Sequence, residues 1–237
     1  MAENPKTFVL IHGAWHGGWC WRRVADLLQA QGHKVFAPTL TGLGERSHLM
    51  AKDIDLDTHI ADVVNVIKWE GLTGICLVGH SYGGWPVSGA LEQIEDRVAS
   101  VVYLDAFVPE NGERGFDLTS EFSRQGIRAA IERGEIGRPP PTAETFGVNA
   151  ADRAWVDSKL MPQPVGVAMQ PVRLTGARER VAKKLYIRAP SYPQPGLDAA
   201  YAKCKANLAW RTMEAPCGHD VMVDAPDWLA DVLVKFA

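Results

Sequence analysis

Short apolar runs alternate with stretches of helical period along the first hundred or so positions. Residues 7–11 (Thr-Phe-Val-Leu-Ile) form a β-branched, apolar run of strand length. Residues 21–31 carry Val24, Leu27 and Leu28 on one helical face, and Gly32 follows where a C-cap glycine would stand. Val35, Phe36 and Ala37 read as a second strand, ended by Pro38. Leu56, Ile60, Val63, Val64 and Ile67 recur at helical spacing, preceded by aspartates suited to a first turn. The run 75–78 predicts a further strand, 85–95 a helix with Pro86 near its start, and 98–104 another buried strand. Strand and helix in alternation predict an α/β fold around a mostly parallel central sheet with helices on both faces.

The pattern breaks over residues 109–182. Gly112, Gly115, the run Pro139-Pro140-Pro141 and further prolines interrupt it; helical pieces are expected at 121–133 and 150–160, and no strand is. The rhythm resumes at 184–187, continues at 210–214 and ends in a helix over 227–236. The chain therefore divides into a core, 1–108 and 183–237, and a helical cap insertion, 109–182. Insertions at the carboxyl edge of such a sheet commonly cover a binding site.

Bulk properties narrow the function classes. A chain of 237 residues can bury one large core without disulfides. The formal charge of −3 is spread evenly, and no basic stripe interleaved with aromatics is present, so nucleic acid is not an expected partner. No apolar run reaches membrane-spanning length, and residues 1–7 lack the apolar core of a signal peptide. Cys20, Cys76, Cys204 and Cys217 are scattered, without a C-x-x-C pair, and read as free thiols. The expectation is a cytoplasmic protein without a membrane partner.

Candidate chemistry centres on Gly79-His80-Ser81-Tyr82-Gly83, between a predicted strand and a predicted helix. A serine on so sharp a strand-to-helix turn, with glycine two residues before and after it, has the form of a nucleophile elbow. A serine hydroxyl needs a base, and His219, in Gly218-His219-Asp220, is the only histidine downstream. The segment His12-Gly13-Ala14-Trp15-His16-Gly17-Gly18 follows the first strand at the same sheet edge. There the backbone N–H of Ala14 could join that of Tyr82 in an oxyanion hole. A phosphate-binding loop would need a following Gly-Lys-Ser/Thr, which is missing. A metal site on His12 and His16 would need their i, i+4 spacing to fall on a helix rather than a glycine-rich turn. His80 reads as support beside the serine rather than a second base.

The segments FVLIHGAWHGGWCW (8–21), GHSYGG (79–84), YLDAFVP (103–109) and GHD (218–220) together resemble an α/β-hydrolase. The resemblance is to the branch that includes plant methylesterases, hydroxynitrile lyases and bacterial esterase-like members. It spans both core segments; the insertion matches in position more than in sequence. It implies an eight-stranded core with a cap, a Ser-His-acid triad and no cofactor; no metal site is expected.

The sequence departs from that branch in the acid. Plant methylesterases carry it just after the strand that corresponds here to 184–188, where this chain has Ala189-Pro190-Ser191-Tyr192. Asp198 is the nearest carboxylate, and it also suits the first turn of a helix over 197–208. Asp105 closes the preceding strand in an otherwise apolar run, where a carboxylate is costly to bury unless paired. Asp105 is therefore the expected triad acid and Asp198 the alternative.

Hydrolysis of a small, apolar or aromatic carboxylic ester is the expected reaction. Hydroxynitrile lyases of this branch place a lysine just after the catalytic histidine, where this chain has Asp220. A ligand receptor retaining the hydrolase machinery is the other alternative. Trp15, Trp19 and Phe107 are candidate pocket residues; Tyr82, Trp85, Phe116, Phe122, Trp155, Met161 and Met169 add apolar surface around them. The expected partner is a small-molecule ester, and the quaternary state is left open, with a homodimer as one form.

Overall fold

The computed structural model describes residues 5–237, apart from the side chain of Phe122. Its strands are β1 (Thr7–Ile11), β2 (Lys34–Phe36), β3 (Ile75–His80), β4 (Val98–Leu104), β5 (Gly137–Arg138), β6 (Gln163–Pro164), β7 (Lys183–Arg188) and β8 (Trp210–Glu214). Six of them form one parallel sheet in the order β2-β1-β3-β4-β7-β8. The expected eight-stranded core is thus corrected to six strands among the described residues. Two further apolar runs as long as β2 do not extend the sheet: residues 106–108 run on as a loop and 221–223 as a short helix.

Alternate residues of each strand enter two different cores. Val9, Ile11, Leu77, Val101, Tyr103 and Tyr186 pack on one face with the helices Leu56–Trp69 and Gly84–Ile94. Phe8, Leu10, Val78, Val102, Leu104 and Ile187 pack on the other with Arg22–Ala30 and Pro226–Phe236. Burial on both faces explains why the strands read as near-continuous apolar runs rather than as an alternation. Local signals close the helices: Asp55 accepts from the Thr58 N–H at 2.9 Å, a cap whose loss costs about 1 kcal/mol.

The register fixes where the chemistry can gather. Ile11 pairs with Gly79, His80 with Leu104, and Leu104 with Ile187, so β1, β3, β4 and β7 end level. β2 and β3 flank β1, which makes the crevice beyond β1 and β3 the point where strand order reverses, the usual binding position in such sheets.

Residues 109–182 contain the helix Glu121–Glu132 and the short helices Gly115–Leu118, Arg153–Asp157 and Ala177–Arg180. The helix expected over 150–160 shrinks to Arg153–Asp157. Where no strand is expected, β5 and β6 pair antiparallel; each is two residues long, too short to show a period. No helix among the described residues is long and apolar enough to cross a membrane.

Candidate active site

Ser81 leaves β3 with φ of 53°, in the left-handed region that costs a non-glycine residue about 1–3 kcal/mol. Only Trp15 (65°) and Asp105 (42°) share a positive φ among the described non-glycine residues, and all three follow strands at the same sheet edge. The elbow glycines are required by close approach. A Cβ on Gly79 would lie 2.9 Å from the Gly83 carbonyl oxygen, and one on Gly83 would lie 2.8 Å from the oxygens of Ile11 and His12. The strain is held by packing on both sides of the turn.

Three elements bring a relay together. His219 lies between β8 and the last helices, with its N–H held by the Phe146 carbonyl at 2.9 Å. Its Nε2 is 2.9 Å from Ser81 Oγ, and its Nδ1 is 2.6 Å from Asp105 Oδ2. With Nδ1–H donated to the carboxylate, Nε2 is left as the acceptor for the serine hydroxyl. Asp105 is fully buried, and its other oxygen accepts from the Ala189 N–H at 2.9 Å and from Arg188 at 2.6 Å.

Asp198 does not reach His219. It is 61% exposed, sits in the first turn of the helix Pro195–Lys205, and accepts from Arg188 Nε and Nη2 at 3.0 and 2.8 Å. The alternative acid is therefore corrected to a partner of Arg188. Arg188 also donates to the carbonyls of Ala189 and Tyr192, at 2.7 and 2.6 Å. Burial alone would lower its pKa, but the Asp105 charge and the bonds to both carboxylates hold it above the ordinary value. Sequence reasoning missed this residue; its only signal is a charge at the end of an apolar strand.

A second layer of histidines lies behind the relay. His80 Nε2 donates to the His219 carbonyl at 3.0 Å, and burial with the neighbouring His219 keeps His80 neutral, well below the usual pKa. His16 bonds the Ala14 carbonyl at 2.8 Å and Asp220 at 3.1 Å. Burial opposes charge on both partners of the second contact. Their mutual attraction outweighs it, raising the His16 pKa and lowering that of Asp220 to about 2. His80, His219 and Asp220 place donor atoms within 4.8 Å of one another, the one such grouping among the described residues. Each side chain has a hydrogen-bond partner, in the His219 carbonyl, in Ser81 and Asp105, and in His16, while His80 Nδ1 and Asp220 Oδ1 are buried without one.

Ser81 and His219 open onto a cavity of about 760 Å³ beneath residues 109–182. Ala14 and Tyr82 line its wall with the serine, and Trp15, Trp85, Phe107, Phe146, Ile127 and Leu197 are among its apolar residues. Tyr82 is held from behind: His59 donates to the Thr41 carbonyl and so accepts the phenol at 2.9 Å. Trp19, expected in the pocket, is not on this wall. The short helix Gly18–Trp21 turns it away, onto His16 at 5.3 Å and Trp155 at 5.3 Å. Phe116 and Met169 pack instead around Ile127, Ala130 and Val165, Met161 lines a separate shallow groove, and the Phe122 side chain lies outside the described residues. Arg138, Gln163, Tyr192 and the triple proline do line the cavity and have no sequence motif to mark them.

Residues 8–232 match the model of the alpha/beta hydrolase family. The carbendazim hydrolyzing esterase of Nocardioides sp. (strain SG-4G) is 42% identical, over 96% of this chain and 98% of its own. Esterase PIR7B of Oryza sativa subsp. japonica is 32% identical, over 100% of this chain and 97% of its own. Among solved structures, an extracellular alpha/beta-hydrolase from a Paenibacillus species superposes with a TM-score of 0.86 at 24% identity. That match covers 98% of this chain and 99% of the other. On the family match and these full-length relatives, the chain belongs to the alpha/beta hydrolase family.

Proposed function

We propose that this protein is a carboxylic ester hydrolase in which Ser81, His219 and Asp105 form the catalytic triad. The observation that carries the reading is the continuous relay from Ser81 Oγ through His219 to buried Asp105, at 2.9 and 2.6 Å, opening onto a cavity. The named esterases that match over their full length support it.

In this mechanism Ser81 Oγ attacks the ester carbonyl carbon as its proton passes to His219 Nε2. The N–H groups of Ala14 and Tyr82 stabilise the oxyanion. Collapse of the tetrahedral intermediate breaks the C–O bond, and His219 gives the proton to the departing alcohol. Water then enters by the reverse sequence, His219 taking one of its protons, and the acid is released with Ser81 restored. Asp105 keeps Nδ1 protonated and stabilises the imidazolium, and Arg188 and Ala189 hold Asp105 in place.

Residues 109–182 act as the cap over the core formed by 1–108 and 183–237. The apolar wall around Trp15, Trp85, Phe107 and Phe146 suits a small apolar or aromatic ester. The position after His219 carries a buried, ion-paired Asp220 instead of a cation for a leaving cyanide, which favours hydrolysis over lyase chemistry. Four unpaired thiols favour a reducing compartment such as the cytoplasm.

The test is a screen of 4-nitrophenyl and phenyl esters with the Ser81→Ala variant alongside. Steady multiple turnover by the wild type, absent from the variant, is the expected result. Full turnover in Ser81→Ala, or none in the wild type on any activated ester, contradicts the reading.

A further inference from the structure

The cavity wall holds a cation with no partner. Arg138 ends β5, directly across from Gln163 in β6. This two-residue ribbon grips Trp15 at three points. The Trp15 N–H donates to Gln163 Oε1 at 2.9 Å, the indole N–H donates to the Arg138 carbonyl at 3.1 Å, and the Arg138 guanidinium lies 4.3 Å over the indole ring. Among the described residues no carboxylate or carbonyl accepts from that guanidinium. The cavity wall includes no Asp, Glu or Lys, and its other arginine, Arg133, is paired with Glu135.

Gln163 repeats the pattern. It is 4% exposed and lines the same cavity. Because Oε1 is taken by the Trp15 N–H, the amide is fixed in orientation, and Nε2 is left buried without a partner. The two residues pair across the ribbon and line one cavity, and neither donor group is answered by the protein, which leaves an acceptor to come from outside. Arg138 is half-buried, and burial lowers its pKa to about 10, so the group is charged at neutral pH and suited to a carboxylate. Tyr192, stacked on His219 at 4.4 Å, lines the same cavity, which links this wall to the reacting end.

We infer that Arg138 and Gln163 form a carboxylate subsite, and that the preferred substrates are esters bearing a second, free acid group. The inference rests on the esterase reading above and specifies its substrate class. Aromatic acids fit it well, since the ring can lie along Trp15 while the acid meets the guanidinium.

Two matched pairs test it: 4-acetoxybenzoate against phenyl acetate, and mono-4-nitrophenyl glutarate against 4-nitrophenyl butyrate. The acid is placed on the alcohol side in the first pair and on the acyl side in the second. In one pair at least, kcat/KM should favour the acid about 10- to 100-fold. Arg138→Met should bring that ratio to near one, and Arg138→Lys should retain part of it. No preference for either acid, or a preference that survives Arg138→Met, overturns the subsite.

Calorimetry separates the subsite from the chemistry. In the Ser81→Ala background, benzoate or glutarate should bind about tenfold more weakly once Arg138→Met is added, and less so with Arg138→Lys. Equal binding in all three overturns the subsite. Binding that depends on Arg138, together with no hydrolysis of any ester, supports the subsite and overturns the esterase reading alone.

Discussion

Two arginines set the end of the sheet against the cap wall. Arg188 is 2% exposed and answered on every side, by Asp105, Asp198 and two carbonyls. Arg138 lies on the cavity wall with an aromatic ring beneath it and no anion. At the sheet end each charge is satisfied within the fold, as a relay that must keep its geometry requires. At the cap wall the unanswered charge costs stability and is available to a ligand. One end of the cavity is built for fixed chemistry and the other for selection.

Breaking the relay should give the largest effects. Ser81→Ala is expected to lower kcat by about 10⁴–10⁶-fold, read on an activated ester. Asp105→Asn should lower it by about 10³–10⁴-fold with little change in KM, because the wrong histidine tautomer is then favoured. If the acid's role were shared with Asp198, the second figure would be far smaller.

Arg188→Met tests the sheet end through stability. It leaves the buried Asp105 carboxylate without its strongest donor, and unfolding by urea should show a loss of about 3–5 kcal/mol. Asp198→Asn removes the exposed partner of the same arginine. A loss of no more than about 1 kcal/mol and nearly unchanged kcat are expected, since that carboxylate is largely in water.

The buried histidines give a pH dependence between these two in size. His12 is lowered to about 3, chiefly by burial, and His33, His59 and His80 are also lowered. For these groups the unfolded chain binds more protons below about pH 6.5, so their stability is present above that pH and lost as pH falls from there toward 3. His16 has the opposite sign, since its pKa is raised by Asp220. Four groups against one predict a Tm that falls on acidification from pH 7 to 5. A Tm that rises over that interval would contradict these assignments.

What the sequence discloses follows from the range of the interactions. The bounds of β4 are legible as an apolar run between polar turns, and the elbow is legible because its serine and both glycines fall within five residues, although Gly83 is required by the distant Ile11 and His12 oxygens. Asp105 can be singled out because a carboxylate in an apolar strand needs a partner. Arg188 escapes notice because its contact with Asp105 depends on sheet register, Leu104 opposite Ile187. Arg138 and Gln163 meet through a ribbon of two residues per strand, with no period to reveal it. Trp19 misleads because it is near Trp15 in sequence, while the short helix Gly18–Trp21 carries it onto His16 and Trp155 and off the cavity wall.

The central claim is that Ser81, driven by the His219–Asp105 pair, is the nucleophile. Reaction with a fluorophosphonate, followed by intact-mass measurement and peptide mapping, tests it directly. One adduct is predicted on Ser81, absent from Ser81→Ala and formed far more slowly in Asp105→Asn. An adduct on another residue, or ester turnover that persists undiminished without labelling of Ser81, would contradict the account.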